Sequence, residues 1–118
     1  MRKLLIPIQG DFVAQRFDLA REIIIVTYDK NTIVGAPKTI IMNKASDEEL
    51  CQMIVEENIT DVVCGGIEEP HYNFLIWKKV TVLDSIIGGW QEAIDTMIAG
   101  TLKRGMILVS KHEERLIL

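Results

Sequence analysis

Residues 61–74 read DVVCGGIEEPHYNF, and this stretch decides the fold that the sequence predicts. Residues 61–64 are typical of a short buried strand, because valine favours extended backbone and both valine and cysteine favour the protein interior. The two glycines that follow allow a tight turn, and Pro70 suits the first turn of a helix, where its missing N–H needs no partner. A strand, a turn and a helix before the next β-branched run at 80–83 predict a parallel strand–helix–strand unit.

The rest of the chain predicts an α/β fold around this unit. Before it come three apolar or β-branched runs joined by short turns, which favour an antiparallel meander, at 3–8, 22–29 and 33–43. Gly35 and Pro37 interrupt the third run, so we expect that strand at a sheet edge or with a bulge. Ser46 caps the first of three predicted helices, which cover 45–58, 70–78 and 90–100. The order β-β-β-α-β-α-β-α predicts a mixed five-stranded sheet with helices packed on it.

Length, composition and charge narrow the classes of function. The chain has 118 residues, the size of one domain, and 48% of them are apolar, enough to build a core. The net charge is −4, and no basic cluster is denser than Lys78-Lys79 or Lys103-Arg104, which argues against nucleic-acid binding. No apolar run approaches the roughly 20 residues of a membrane-spanning helix. We therefore expect one domain without nucleic-acid or membrane partners.

The cysteine content and the N-terminus indicate a reducing compartment. Cys51 and Cys64 lie 13 residues apart and form no CxxC motif. Only Leu4–Ile8 follows the basic residues at the N-terminus, with a proline inside, so the start does not resemble a signal peptide. In a chain without export signals, both cysteines are expected to be reduced thiols. We therefore expect the protein in the cytoplasm.

Four stretches, in this order, resemble the dinitrogenase iron–molybdenum cofactor biosynthesis proteins, a family of small nitrogenase accessory domains. They are LLIPI, VAQRFDLAREIIIVTYD, DVVCGGIEEP and WQEAIDTMIAGTL. In that family an IAIP strand precedes a loop with a Ser-x-His-Phe-Gly-Arg-Ala-like motif, a later strand runs into GGIG, and the last helix carries Glu-Ala-Ile. The resemblance covers about residues 3–102, which divides the chain into a domain at 1–105 and an extension at 106–118.

The resemblance implies a fold and a class of function. The element order is similar to the ribonuclease H-like three-layer fold. Membership of the family implies a protein that binds or carries an iron–sulfur or molybdenum-containing cluster, or works with cofactor-assembly proteins, and that is not an enzyme. The first strand also lacks the carboxylates that ribonuclease-type catalysis on two metal ions needs, and the fold alone does not carry nuclease activity.

Three departures from the family's motifs weaken the expectation of cluster binding. Arg16 stands where the family has its loop histidine, Asp18-Leu19 replaces Gly-Arg, and Glu68 replaces the last glycine of GGIG. A guanidinium has no lone pair for a metal, but it can bind an anion through two parallel hydrogen bonds. Arg16 is therefore a candidate anion contact, and a degenerate interaction or regulatory module is the alternative function.

The other candidate residues lie in the opening stretch. Cys64 ends a strand at the edge where α/β sheets bind ligands, and its thiolate suits a soft metal cluster; the alternative is a small core residue. Gly65 and Gly66 form either an anion-binding nest or only a tight turn. His71 either ligates a divalent metal with Glu68 and Glu69 or follows acids that only stabilise a helix start. The predicted cofactor-binding set is Arg16, Cys64, Gly65, Gly66 and His71, with Cys64 as the metal ligand.

The C-terminal segment, MILVSKHEERLIL at 106–118, has aliphatic runs at both ends of a charged stretch. Such runs need a surface on which to be buried. We expect the segment to cover the exposed strand edge at 33–43 or to cross to a second subunit in a symmetric homodimer.

Overall fold

The computed structural model describes residues 1–108, which form one mixed β-sheet and three helices. The strands are β1 (Arg2–Gln9), β2 (Phe12–Val13), β3 (Glu22–Asp29), β4 (Thr32–Ile33), β5 (Lys38–Ile41), β6 (Asp61–Val63) and β7 (Thr81–Leu83). The helices are α1 (Asp47–Glu56), α2 (Glu69–Trp77) and α3 (Trp90–Ile98). The α/β class predicted from the sequence is confirmed.

The sheet has the strand order β4-β3-β1-β6-β7, with β2 paired to β1 and β5 paired to β3. β1 is central, antiparallel to β3 and parallel to β6, with Leu5 opposite both Ile25 and Val62. β6 and β7 are also parallel, as the strand–helix–strand pattern predicts. The carboxyl ends of β1, β6 and β7 therefore lie along one edge of the sheet, the usual position of ligand sites in α/β folds.

Helices cover both faces of the sheet, because alternate residues of the central strands point to opposite sides. Leu5 of β1 shares a core cluster with Leu50 of α1 and Leu75 of α2. Its neighbour Leu4 shares a second cluster with Ile94 of α3. The result is three layers, as predicted, with β1 buried on both faces. The more specific name, ribonuclease H-like, stays a prediction.

The sheet has seven strands instead of the predicted five, for two local reasons. The run at 33–43 is split into β4 and β5, because Gly35 has a φ of 75° and Pro37 has no N–H to donate to β3. Both halves pair with β3 at the edge of the sheet, which is the position predicted from the sequence. The other addition, β2, has only two residues and pairs with the end of β1 through Val13 opposite Ile8.

The buried carboxylate of Asp61 links neighbouring strands at the end of the sheet opposite to the carboxyl edge. Asp61 is 1% exposed and accepts hydrogen bonds from the Arg2 guanidinium (2.9 and 2.6 Å), the Tyr28 hydroxyl (3.1 Å) and the Thr60 hydroxyl (2.8 Å). These donors come from β1, β3 and the residue before β6. Asp61 therefore has a structural role and is not part of the carboxyl edge.

The structure describes only residues 106–108 of the C-terminal segment that was predicted to cover a strand edge or cross to a second subunit. Ile107 lies beside Ile87, in the loop that follows β7. Residues 109–118 lie outside the described residues, so the expected edge cover or homodimer contact stays a prediction. Within residues 1–108, no helix is long and apolar enough to cross a lipid bilayer.

Candidate functional site

The turn after β6 is docked directly onto the loop that precedes β3. The Gly66 N–H donates to the Gln15 carbonyl at 2.7 Å, and the Phe17 N–H donates to the Gly66 carbonyl at 2.8 Å. A Cβ atom on Gly65 would lie 2.5 Å from the Gln15 carbonyl oxygen and would also collide with the Ala14 carbonyl oxygen. Glycine is therefore required at 65 because two backbones cross there. Of the two alternatives for the glycine pair, an anion nest or a tight turn, the hydrogen bonding of Gly66 favours the turn, because its N–H is used by the Gln15 carbonyl.

A groove of about 440 Å³ opens beside this crossing, at the carboxyl ends of β6 and β7. Phe12 and Ile87 form apolar walls, with 58% and 62% of their surfaces exposed. The amide of Gln15 and the hydroxyl of Ser85 are the side-chain hydrogen-bonding groups among the described residues that line it. The lining consists of Phe12, Val13, Gln15, Gly65, Gly66 and residues 85–88, none of them ionisable.

The loop after β7 is held against the turn after β6, which gives the groove a fixed wall. The Ser85 N–H donates to the Gly65 carbonyl at 2.9 Å, and the Ile86 N–H donates to the Cys64 carbonyl at 3.0 Å. Ser85 has a φ of 59°, a left-handed conformation that is uncommon for residues other than glycine. The loop is a part of the candidate site because Ser85 and Ile87 line the groove.

Arg16 lies next to the groove but is engaged by carboxylates. Its Nε and Nη2 atoms donate to the two Asp18 carboxylate oxygens at 3.0 and 2.8 Å, and Nη2 lies 3.4 Å from a Glu68 oxygen. It lines a neighbouring depression of about 670 Å³, which Gln15 separates from the groove. An external anion would have to compete with Asp18 for this guanidinium. The role of Arg16 as an anion contact stays a prediction.

Cys64 lies under the groove, in the core cluster that also contains Leu5, Phe17 and Val62. Its side chain is 0% exposed. Burial, with a smaller contribution from the charge of Asp84, raises the pKa of the Cys64 thiol to about 12. At neutral pH the sulfur is therefore protonated and shielded from solvent, which favours the core alternative. Metal ligation by Cys64 stays a prediction.

His71 contacts α1 rather than the groove. Its Nε2 atom lies 2.7 Å from an Asp47 oxygen, and its ring is 6.2 Å from the Phe17 ring. Glu68, its proposed partner in a metal site, contacts Arg16 instead. Among residues 1–108, no three His, Cys, Asp or Glu side chains are arranged to hold a metal ion. Metal binding by His71 stays a prediction, and the described residues supply no further ligands beside it.

The wall formed after β7 was not predicted from the sequence. Residues 84–89, DSIIGG, were assigned no role there, whereas Ser85 and Ile87 line the groove. The signal was present, because this loop follows a strand parallel to β6 and must leave the sheet at the same edge. Two of the segments that carry candidate residues, the loop at 11–18 and the turn at 64–66, are in contact.

A comparison with protein families identifies the chain. A family model described as "Dinitrogenase iron-molybdenum cofactor" matches residues 2–100. The chain belongs to this family. The motifs of this chain depart from those of the dinitrogenase iron–molybdenum cofactor family in two segments, the loop at 15–19 and the turn at 64–68. Backbone hydrogen bonds join these two segments beside the groove.

Solved structures of similar fold agree with this membership. A Methanocaldococcus jannaschii protein assigned as a dinitrogenase is 25% identical, with a TM-score of 0.69, over 86% of this chain and 91% of that chain. A Thermotoga protein assigned to NifB and to the DUF35 family is 22% identical, with a TM-score of 0.68, over 94% and 99%. The apo form of the orange protein from Desulfovibrio gigas is 15% identical, with a TM-score of 0.71, over 88% and 92%. The last two show the fold alone. We found no match among curated proteins.

Proposed function

We propose that the chain is a non-catalytic carrier that binds a compact anionic metal–sulfide cluster in the groove and exchanges it with cofactor-assembly proteins in the cytoplasm. The observation that supports this proposal is the chemistry of the groove. It has the volume of a small-molecule site, about 440 Å³, and it lies at the carboxyl edge of the sheet. Family membership supports the class of ligand, iron- or molybdenum-containing, but not its composition.

The side chains that line the groove favour a cluster whose metal ions already have all their ligands. Iron, copper and molybdenum bind thiolate, imidazole or carboxylate groups, and the lining residues carry none of these. Among residues 1–108, a bare metal ion would therefore find no side-chain ligand of these kinds there. A cluster already saturated with sulfide can instead be held through van der Waals contact with Phe12 and Ile87, and through a hydrogen bond from the Gln15 amide. The Ser85 hydroxyl, which lies 3.4 Å from an Asp84 carboxylate oxygen, can donate a second bond when it turns toward the cluster.

The polarity of the groove favours sulfide over oxide at the cluster surface. Transfer of an anion from water to a largely apolar site costs free energy, and this cost grows with the strength of the anion's hydration. Sulfide ligands are larger, softer and more weakly hydrated than oxide ligands. We therefore expect tetrathiomolybdate to bind more tightly than molybdate, although both are dianions of molybdenum.

Substitutions at Ile87 test the proposal. Ile87 is exposed at the groove wall, so charged substitutions there should leave the fold intact. We expect Ile87→Glu to weaken tetrathiomolybdate binding about tenfold through like-charge repulsion, and Ile87→Lys to leave it unchanged or stronger. Anaerobic titration followed by visible absorbance measures both affinities.

A matched control separates repulsion in the groove from a general effect of charge. Ile76 of α2 is 44% exposed and lies outside the groove lining, so Ile76→Glu adds the same charge elsewhere. We expect it to bind tetrathiomolybdate as the wild type does. Equal affinities for the wild type, Ile87→Glu and Ile87→Lys would refute binding in the groove.

One observation favours an interaction module as the competing function. Arg16, which replaces the family's loop histidine, is joined to Asp18 and Glu68, so the loop is closed by internal ion pairs. A module that had lost its ligand would keep this loop rigid for a protein partner. Absence of binding by the wild type of both tetrathiomolybdate and a cluster reconstituted from iron, sulfide and molybdate would favour this alternative.

A further inference from the structure

Residues 101–108, which we call the strap, lie beyond the family match at 2–100 and yet contact the groove wall. Gly100 ends α3 with a φ of 81°, and the chain then turns back along the loop after β7. Three backbone hydrogen bonds join the two segments: Gly105 N–H to the Asp84 carbonyl (3.0 Å), Ile87 N–H to the Met106 carbonyl (3.1 Å), and Leu108 N–H to the Ile87 carbonyl (2.8 Å). The strap thus lies behind the wall at 84–88.

Apolar contacts fix the strap in this position. Leu102 is buried in the core cluster under α3, and Met106 and Leu108 pack against the same cluster. Gly88 has a φ of 136°, and a Cβ atom added there would lie 2.8 Å from the Leu108 Cβ and carbonyl oxygen. Leu108 therefore occupies the space directly behind a glycine that lines the groove.

The strap also supplies the cation that pairs with Asp84, an acid beside the groove. Asp84 precedes Ser85, and only 16% of its side chain is exposed. The Arg104 Nε atom lies 2.5 Å from its carboxylate, and the guanidinium stacks over the Tyr72 ring at 5.1 Å. An Asp84 carboxylate oxygen lies 3.4 Å from the hydroxyl of Ser85, which lines the groove, so the charge of Asp84 is next to the groove. Without Arg104, this carboxylate would repel an anion bound beside Ser85.

We propose that the strap allows the groove to accept an anion. Arg104 cancels the charge of Asp84, and the backbone hydrogen bonds of residues 105–108 position the wall at 84–88. This inference rests on the proposed function for the identity of the ligand. Arg104 is a positioning residue, because it acts through Asp84 and does not line the groove.

Removal of the Arg104 charge alone, and then of both charges, tests the charge cancellation, with tetrathiomolybdate as the probe. We expect Arg104→Gln to weaken binding about five- to tenfold, because a carboxylate within a Debye length of a dianion becomes unpaired. Arg104→Lys keeps the charge and should bind within about twofold of the wild type. The double variant Asp84→Asn/Arg104→Gln should bind more tightly than Arg104→Gln, since no charge remains to be cancelled, but less tightly than the wild type, because its strap also lacks the anchoring ion pair. Unchanged affinity in Arg104→Gln, or a double variant no better than Arg104→Gln, would overturn this role.

Amide hydrogen exchange tests the positioning of the wall without a ligand. We expect the Ile87 and Leu108 amides to exchange faster in Arg104→Gln and equally fast in the double variant, because both lack the ion pair that anchors the strap. Wild-type exchange rates in Arg104→Gln would refute the positioning. A wild-type protein that does not bind tetrathiomolybdate would refute the proposed function instead, and the exchange rates would still decide whether the strap positions the wall.

Discussion

At the scale of single residues, burial determines the chemistry of the Cys64 thiol. The sulfur lies in the core cluster beneath the groove, where the charged thiolate would lose its hydration, and the charge of Asp84 adds to this penalty. At the strand end where a ligand could bind, the Cys64 side chain is therefore neutral and packed in the core. Reactivity toward metals would require the turn at 64–66 to open.

The raised pKa of Cys64 predicts a loss of stability at alkaline pH. In the unfolded chain the thiol loses its proton near pH 9, whereas in the folded protein it keeps the proton until about pH 12. Between these values the unfolded state binds fewer protons, so the free energy of unfolding falls as the pH rises, by up to about 1.4 kcal/mol per pH unit from this group. Below pH 9 this contribution to stability is fully present.

Urea denaturation of Cys64→Ala between pH 8 and 10.5 measures this contribution. We expect a shallower decline in the free energy of unfolding than in the wild type, beyond any loss from the smaller side chain. Val63→Ala is the matched control, because Val63 is also buried but does not titrate. It should lower stability at every pH and keep the wild-type slope. Identical slopes in Cys64→Ala and the wild type would contradict the assigned pKa.

At the scale of elements, the turn after β6 is determined by contact between two backbones. The Gly65-Gly66 pair was interpreted from the sequence as either a nest or a tight turn. The structure gives the two glycines different roles. Gly65 crosses residues 14–15 too closely for a side chain, whereas a Cβ on Gly66 would meet only the Gln15 carbonyl oxygen, at 3.4 Å.

This difference predicts unequal effects for two alanine substitutions one residue apart. Gly65→Ala should lower the free energy of unfolding by about 1–3 kcal/mol, because the loop and the turn must separate to admit the Cβ. Gly66→Ala should change it by less than about 1 kcal/mol, since the added atom fits with a small shift. Urea denaturation of the two variants side by side checks this. Equal losses would mean that the close crossing at Gly65 does not constrain the fold.

The elements also show what local sequence patterns can and cannot predict. Ser46 accepts a hydrogen bond from the Glu49 N–H at 3.2 Å, so the start of α1 was predictable from local capping chemistry. β2 was not predictable in this way, because Phe12 and Val13 form a strand only through their pairing with β1. The wall at 84–88 and the strap depend likewise on contacts between segments distant in the sequence.

At the scale of the whole molecule, the topology brings the candidate site together from three separate segments. The loop at 11–18, the turn at 64–66 and the loop at 84–88 follow β1, β6 and β7, whose carboxyl ends lie along one edge. The sequence order predicted this edge and two of the three segments. It left open whether Cys64 would be a ligand or a core residue, and it did not predict that His71 would pair with Asp47, because both depend on how α1 and α2 pack.

The central claim, that this edge binds an anionic metal–sulfide cluster, is tested most directly by locating the ligand on the molecule. A ¹⁵N-labelled sample would be titrated anaerobically with tetrathiomolybdate while the backbone amide resonances are followed by NMR. The account predicts saturable shifts centred on residues 12–15, 65–66 and 85–88, with smaller changes at the strap. Shifts confined to the depression beside Arg16 and Arg21, shifts centred on α1 and α2, or no shifts at all would contradict it.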